Sequence, residues 1–306
     1  MGLDISSLLL LSKFASDMRS RDTPMKILIA GRPKIYATHS SLDKYSLLSP
    51  HLVNDMPYYG ESIIASIFGC DLNDVDVLDK SSFEGASVVF DLSANPSTLE
   101  TSLRQKYNLV LDLGTSEHVG SPVNSIFNLL SCVSNGGYYI SVLPHTGNVD
   151  HGFVSFSRCF FESMGLIPQI QLVQHHIYKE ISGSLTKTSI WDALHPFFSG
   201  HLDGIADGSF LCHVLNYLNI STNHFTIFRV NKNLHDFDEL YSMINQFVYL
   251  RMYALSNPLS SQSERIFNQY TLPYEKIISK IYKINPFLAC KLSYSLLLES
   301  TIWLPF

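Results

Sequence analysis

The feature that most constrains the fold of this chain is a series of short apolar segments, each of which ends in a glycine or an aspartate. The segments are Met25–Gly31, Val75–Asp79, Ser87–Asp91 and Tyr107–Asp112. Segments that are apolar at nearly every position, rather than at alternate positions, are typical of strands buried on both faces of a parallel sheet. Parallel strands need a crossover connection, usually a helix. The sequence therefore predicts strands that alternate with helices.

Helical spacing of apolar residues occurs where such crossovers are expected, over residues 61–68 and 123–133. A fifth strand is predicted over Tyr138–Leu143. Two later segments, Ile167–Tyr178 and Phe225–Val230, are expected to form an antiparallel edge. The predicted fold class is α/β, with a doubly wound, mostly parallel, seven-stranded sheet of the Rossmann-like type.

The hydrophobic pattern changes after residue 235. From residue 236 to 306, apolar and aromatic residues recur with helical spacing, and a polar loop interrupts them near Asn257. We predict an α/β domain over residues 1–235 and a helical C-terminal extension over residues 236–306. The extension is expected to fold back on the sheet, or to contact a second copy or another protein.

Composition narrows the classes of function. The formal net charge is −6 and no run of Lys and Arg stands out, so no nucleic-acid partner is expected. The five cysteines include no C-x-x-C pair, which favours free thiols in a reducing compartment. The longest apolar run near the start, Leu8–Leu11, is too short to span a bilayer, and no membrane span is expected. A cytoplasmic location is the prediction that follows.

The residues that close the predicted strands are candidates for a binding site. In doubly wound sheets, ligands bind beyond the carboxyl ends of the strands. Gly31, Asp79, Asp91, Asp112 and Gly114 all lie at such ends. Each also has a structural alternative: an aspartate after a strand caps the next helix or stabilises a turn, and a glycine there relieves crowding.

Three segments together resemble the class I S-adenosylmethionine-dependent methyltransferases over about residues 25–165. They are Asp79–Asp91, Tyr107–Val119, and Leu130–Leu143 with its Gly136-Gly137 pair. The resemblance implies S-adenosylmethionine as cofactor. It further implies that Asp79 binds the ribose hydroxyls and that Asp91 binds the adenine amino group. Asp112 and Gly114 would then lie beside the methionine part of the cofactor, and the backbone at Gly31 would approach the cofactor.

The loop after the first strand departs from the pattern of these methyltransferases, in which this loop is rich in glycine. Here it reads Gly31-Arg-Pro-Lys-Ile-Tyr-Ala37, with a single glycine. Pro33 has no N–H and a fixed φ, so it does not reproduce a flexible glycine cradle. A second hypothesis follows: an inactive or repurposed methyltransferase fold that acts as a binding or scaffold partner in a biosynthetic pathway.

Three histidines are the candidate catalytic residues. His118, His145 and His151 are expected in loops at the carboxyl edge, after the fourth and fifth strands. An imidazole is suited to take the proton of an acceptor hydroxyl. His151 is the first choice for that base, with Asp150 beside it to orient it, His145 the second and His118 the third. A metal held by these histidines with Asp112 is less favoured, because the spacing matches no ligand motif.

The leading function from sequence is methyl transfer to a small hydroxylated or amino substrate. The segment Leu143–Phe153 also resembles a subgroup of methyltransferases that is associated with sugars and natural products. A sugar or a natural product is therefore the expected acceptor class. An NAD-dependent enzyme is a weaker alternative, because no G-x-G-x-x-G follows the first strand.

Overall fold

The structure is a computed structural model, and it describes residues 2–18, 25–37, 39–44, 47, 60–146, 151–179, 222–234, 237–242 and 244. Within these residues the strands are β1 Gly2–Leu3, β2 Ile27–Ala30, β3 Lys34–Ile35, β4 Val75–Asp79, β5 Val88–Val89, β6 Tyr107–Leu113, β7 Val133–Thr146, β8 Ile170–Lys179 and β9 Thr222–Val230. The α-helices are α1 Ile5–Met18, α2 His39–Lys44, α3 Gly60–Phe68, α4 Pro122–Cys132 and α5 Arg158–Met164. Short 3₁₀ turns cover Leu72–Asp74, Pro96–Thr98 and Ser116–His118.

Seven strands form one mixed sheet in the order β5-β4-β2-β6-β7-β9-β8. The strands from β5 to β7 are parallel, whereas β9 pairs antiparallel with both β7 and β8. The chain starts at the centre with β2, moves outward to β5, and returns to β6 on the other side of β2. This order confirms the predicted doubly wound sheet with an antiparallel edge. It also creates a switch point between β2 and β6.

Successive residues of the central strands face opposite sides of the sheet, and each side has its own core. Ile27 and Ile29 belong to a cluster formed with α1 and α3, whereas Leu28 and Ala30 belong to a cluster formed with α4 and α5. All four residues have no exposed surface. Burial on both sides explains why β2 is apolar at every position.

The first helix, α1, was not expected from the sequence. Asp4 precedes it and accepts the amide N–H of Ser7 at 2.9 Å, an N-cap interaction. Leu8, Leu11 and Phe14 then recur on one face and are buried against the sheet. The short apolar run near the start of the chain is therefore one stripe of an amphipathic helix. Among the described helices, none is long and apolar enough to cross a membrane.

The fifth strand is longer than predicted at both ends. Strand β7 begins at Val133 directly after α4, but its pairing with β6 is irregular up to Tyr138 and Gly136 has a φ of 81°, so the predicted turn is an irregularity within the strand. The strand also continues past Leu143 to Thr146, since Pro144 pairs with Asn223 of β9. His145 therefore lies in a strand and not in a loop.

Most of the predicted helical extension lies outside the described residues. The part that is described, residues 237–242 and 244, is helical. Phe237 and Tyr241 pack edge-on against Phe127 of α4, with ring centroids 5.9 and 5.0 Å away. Leu240 is buried in the same cluster. This short described segment therefore packs against α4.

Candidate active site at the carboxyl edge of the sheet

The register of the sheet brings the predicted binding residues to one edge. Ala30, the last residue of β2, pairs with Leu78 on one side and with Asp112 on the other. Asp79 follows Leu78 and Gly31 follows Ala30, so these two residues lie next to each other at the edge of the sheet. Gly31 borders the switch point between β2 and β6, where loops diverge and leave a crevice, and Asp79 lies one strand away from it.

The loop after β2 is tied to its neighbours by several contacts. Gly31 has a φ of 65°, which favours glycine, and its N–H donates to the carbonyl of Leu78 at 2.7 Å. Arg32 pairs with Glu61 of α3 at 2.6 Å and donates to the carbonyl of Glu84 at 2.8 Å. These bonds fix the loop between the start of α3 and the loop after β4.

Pro33 packs against the first residue of α3. Its carbonyl accepts the amide N–H of Gly60, the first residue of the helix, at 3.0 Å. A Cβ on Gly60 would lie 2.5 Å from Cγ of Pro33. In a glycine-rich loop the amides of this first turn face a ligand. Here the chain itself uses the first of them.

Asp79 ends β4 and is only half-buried. Its carboxylate accepts a long hydrogen bond from the amide of Ser81, at 3.4 Å. Asp91, which follows β5, is held more firmly: Ser93 donates both its amide and its hydroxyl, and Lys80 pairs with it at 2.9 Å. These hydrogen bonds, with the lysine, lower the pKa of Asp91 to about 2. Asp79 is thus the more available of the two carboxylates.

Asp112 is fully buried, and its carboxylate contacts neighbouring groups of the protein rather than the crevice. Its carboxylate accepts the amides of Thr115 and Ser116 at 3.1 and 3.2 Å, the hydroxyl of Ser116, and the hydroxyl of Tyr139 at 3.0 Å. Burial raises the pKa of Asp112, although these four hydrogen bonds act to lower it. Gly114 follows with a φ of 88°, as the turn requires. This arrangement favours a structural role for Asp112.

Glu117, His118 and His151 form a cluster at the same edge. Oε1 of Glu117 lies 3.7 Å from Nε2 of His118 and 4.0 Å from Nε2 of His151. The two rings meet edge to face, with centroids 5.2 Å apart. The imidazoles are 40% and 49% exposed, whereas the Glu117 side chain is 1% exposed. Burial, and then the nearby Asp112 carboxylate, raise the pKa of Glu117 to about 8.

The loop that carries His151 is fastened to Glu117. The amide of Phe153 donates to the Glu117 carbonyl at 2.8 Å. Between them, a Cβ on Gly152 would lie 2.9 Å from that carbonyl oxygen and 3.0 Å from Cγ of Glu117. Only glycine permits this approach. The loop after β7 and the 3₁₀ turn after β6 are therefore one unit.

His145 belongs to a different, buried cluster. Its ring lies against that of His224, with centroids 4.6 Å apart. Nδ1 of His224 lies 2.8 Å from Nε2 of His175, and Nε2 of His224 donates to the carbonyl of Phe156 at 2.9 Å. Because a carbonyl only accepts, a neutral His224 carries its proton on Nε2 and accepts from His175. Among the described residues, the group whose ligand atoms lie within 4.8 Å of one another consists of Glu117, His118 and His151, and it does not include His145.

Glu117 was not among the site residues predicted from the sequence. The structure makes it the buried centre of the histidine cluster. The available signal was its position directly before His118, after a strand that ends at the predicted crevice. No comparable signal links His145 to His224, because their pairing depends on the antiparallel register of β7 and β9.

No protein-family model matches this sequence, and no curated protein is significantly similar to it. Several of the solved structures that resemble it are described as methyltransferases, and their similarity to this chain is low. One, described as a methyltransferase from Bacillus halodurans, has a TM-score of 0.40 and 7% identity, over 72% of this chain and 98% of that one. Another, described as a sarcosine dimethylglycine methyltransferase from Galdieria sulphuraria, has a TM-score of 0.39 and 9% identity, over 74% and 86%.

A third is a 1,6-didemethyltoxoflavin-N1-methyltransferase from Burkholderia thailandensis with its substrate and S-adenosylhomocysteine bound. It has a TM-score of 0.37 and 11% identity, over 75% of this chain and 80% of that one. Scores below 0.5 do not define a shared fold by themselves. The fold of this chain is established by its own strand order and register.

Proposed function

We propose that this protein transfers a methyl group from S-adenosylmethionine to a small hydroxylated or amino acceptor, such as a sugar or a natural product. The proposal depends most on Asp79. This half-buried carboxylate lies at the carboxyl end of β4, one strand from the switch point, and its bond to Ser81 is long at 3.4 Å. A carboxylate has two acceptor oxygens, which suits a pair of adjacent ribose hydroxyls.

The residues around Asp79 fit the nucleoside part of this cofactor better than its amino-acid part. Gly31 leaves the crevice floor free of a side chain beside Asp79. Asp91 keeps lone pairs for an amino group, although Ser93 and Lys80 use part of its capacity. At the other end, Arg32 and Pro33 occupy the place of a glycine-rich loop. The bound cofactor supplies an activated methyl group.

The acceptor is expected beside the cluster of Glu117, His118 and His151. Phe153, 76% exposed, offers an apolar surface next to these polar groups. Transfer of a methyl group needs the acceptor atom aligned and desolvated, and positioning supplies most of the rate. When the acceptor is a hydroxyl, His151 is the first residue to take its proton, because its imidazole is the more exposed of the pair.

Binding of S-adenosylhomocysteine, measured by calorimetric titration of the purified full-length chain, tests the proposal. We expect saturable binding, and we expect Asp79→Ala to weaken it at least tenfold, about 1.4 kcal/mol. Asp74→Ala is the matched control, because Asp74 lies before the opposite end of β4. Absence of binding at millimolar ligand would reject the enzyme. Equal binding by Asp79→Ala would reject the ribose site.

A second function is supported by the contact between Pro33 and Gly60. The chain's own carbonyl satisfies the first amide of α3, at 3.0 Å. A fold that had lost its cofactor would tolerate this closure and retain a surface for a biosynthetic partner. In that case the titration shows no binding while the protein remains folded.

A further inference from the structure

We propose that Glu117, His118 and His151 bind a divalent transition-metal ion of the zinc class. One carboxylate oxygen and two imidazole nitrogens converge from two loops on one small volume. All three candidate ligand atoms lie within 4.8 Å of one another. The proposal concerns metal binding alone and does not depend on methyl transfer.

Small movements of the two imidazoles would bring the three ligand atoms to the separations found in a metal site. A tetrahedral zinc centre has bonds of about 2.0–2.2 Å, which places its ligand atoms about 3.4 Å apart. Glu117 Oε1 is already 3.7 Å from His118 Nε2 and 4.0 Å from His151 Nε2. Both imidazoles are about half exposed, so rotations that move each nitrogen by about 1 Å meet little resistance. The glutamate does not need to move.

An unsatisfied buried oxygen points to a ligand. Oε2 of Glu117 has no exposed surface and no hydrogen-bond partner within the part of the chain that the structure describes. Leaving a buried carboxylate oxygen unpaired is costly. A cation at Oε1 would compensate the buried group, because buried charges are normally paired or bound to metal.

The two loops are fixed in the arrangement that the site requires. The Phe153 amide holds the Glu117 carbonyl at 2.8 Å, and the close approach of Gly152 to Glu117 leaves no room for any Cβ. Asp112 in turn fixes the turn before Glu117 through the amides of Thr115 and Ser116. His151 is thereby kept beside His118 before any ion binds. Such preorganisation is what distinguishes a metal site from exposed groups that meet by chance.

The chemical types of the three ligands determine which metal ions suit the site. Two imidazoles and one carboxylate suit Zn²⁺, Co²⁺ or Fe²⁺, whereas Mg²⁺ and Ca²⁺ prefer oxygen ligands. Three protein ligands leave at least one position for water or an acceptor oxygen. An acceptor hydroxyl bound there would lose its proton more readily. In the metal-bound protein the His151 lone pair would coordinate the ion rather than take that proton.

The test uses Zn²⁺ and Co²⁺ on the chelator-stripped, full-length protein. Zn²⁺ affinity is measured by competition with a chromophoric chelator, and Co²⁺ by the visible absorption of its complex. We expect one equivalent of each ion. Glu117→Gln, His118→Ala and His151→Ala should each lower the affinity at least about tenfold, the loss typical of a damaged metal site.

His176→Ala is the matched control, because His176 is a half-buried histidine on β8 outside the cluster. Its affinity should equal that of the unaltered protein, and circular dichroism should show that all four variants are folded. Failure to bind an equivalent of Zn²⁺ at micromolar concentration would overturn the proposal. Equal affinity in the three cluster variants would also overturn it, since the ion would then bind elsewhere. No S-adenosyl ligand is present, so neither outcome bears on methyl transfer.

Discussion

Replacing Asp112 by alanine tests whether this residue supports the site or contacts the cofactor. The carboxylate accepts two amides and two hydroxyls, and no part of it reaches solvent. After the change, Ser116 keeps its contact with the Ser125 hydroxyl at 2.7 Å. The amides of Thr115 and Ser116 and the hydroxyl of Tyr139 lose this acceptor.

The expected cost follows from these three donors. Each buried donor left unsatisfied costs about 1–3 kcal/mol, and removal of a buried charge returns part of the sum. We expect Asp112→Ala to lower the free energy of unfolding by about 3–5 kcal/mol, which is a large share of the stability of a typical domain. Asp112→Asn keeps an acceptor for the amides, and both hydroxyls can turn to accept. Its cost should be about 1 kcal/mol.

Urea unfolding followed by far-ultraviolet circular dichroism measures both variants. The reasoning is refuted if Asp112→Ala unfolds within about 1 kcal/mol of the unaltered protein. It is also refuted if Asp112→Ala keeps its stability but loses affinity for S-adenosylhomocysteine. That second pattern would mean that the carboxylate faces the ligand, as the sequence resemblance implied.

Three further predictions concern the loops around the site. Gly60→Ala places a Cβ against Pro33 and should lower the free energy of unfolding by about 1–3 kcal/mol in the same assay; an unchanged midpoint would contradict the packing. Ser93→Ala should raise the pKa of Asp91 from about 2 toward its unfolded value of about 3.9, as followed by carboxyl NMR. Because the pKa of Asp91 is lower in the folded state, this hydrogen bond stabilises the protein above about pH 4, and the stabilisation is lost as the pH falls through about 2. The Asp91 signal of the variant should therefore titrate at higher pH, and an unchanged titration would contradict the prediction. Gly152→Ala must move the His151 loop by a few tenths of an ångström and should weaken Zn²⁺ binding several-fold, whereas Gly120→Ala, which meets open space, should not.

The sequence allowed the sheet to be predicted well because burial on both sides leaves a strong local signal. β2 is apolar at every position and β6 at most positions, and each of β2, β4 and β6 ends beside a residue suited to a crevice. The helix α1 was missed because its apolar stripe was considered only as a membrane segment. The ends of β7 were misplaced because Gly136 and Pro144 usually interrupt strands. Here the strand passes Gly136 with an irregularity in its pairing with β6, and its pairing with β9 continues through Pro144.

The site was only partly predictable, since it depends on contacts between loops. The proximity of His118 to His151 follows from the order of β6 and β7, and it was expected. Two facts were not accessible from local sequence: that Glu117 is buried between these histidines, and that Asp112 turns away from the crevice. Both depend on which face of a turn packs against α4 and β7.

A crystal structure of the protein grown with S-adenosylhomocysteine tests the proposed function most directly. We predict that the ligand lies at the carboxyl edge of the sheet, with its ribose hydroxyls hydrogen-bonded to the Asp79 carboxylate and its sulfur directed toward the Glu117, His118 and His151 cluster. The account is contradicted if crystals soaked at millimolar concentration show no ligand, or if the ligand binds away from Asp79.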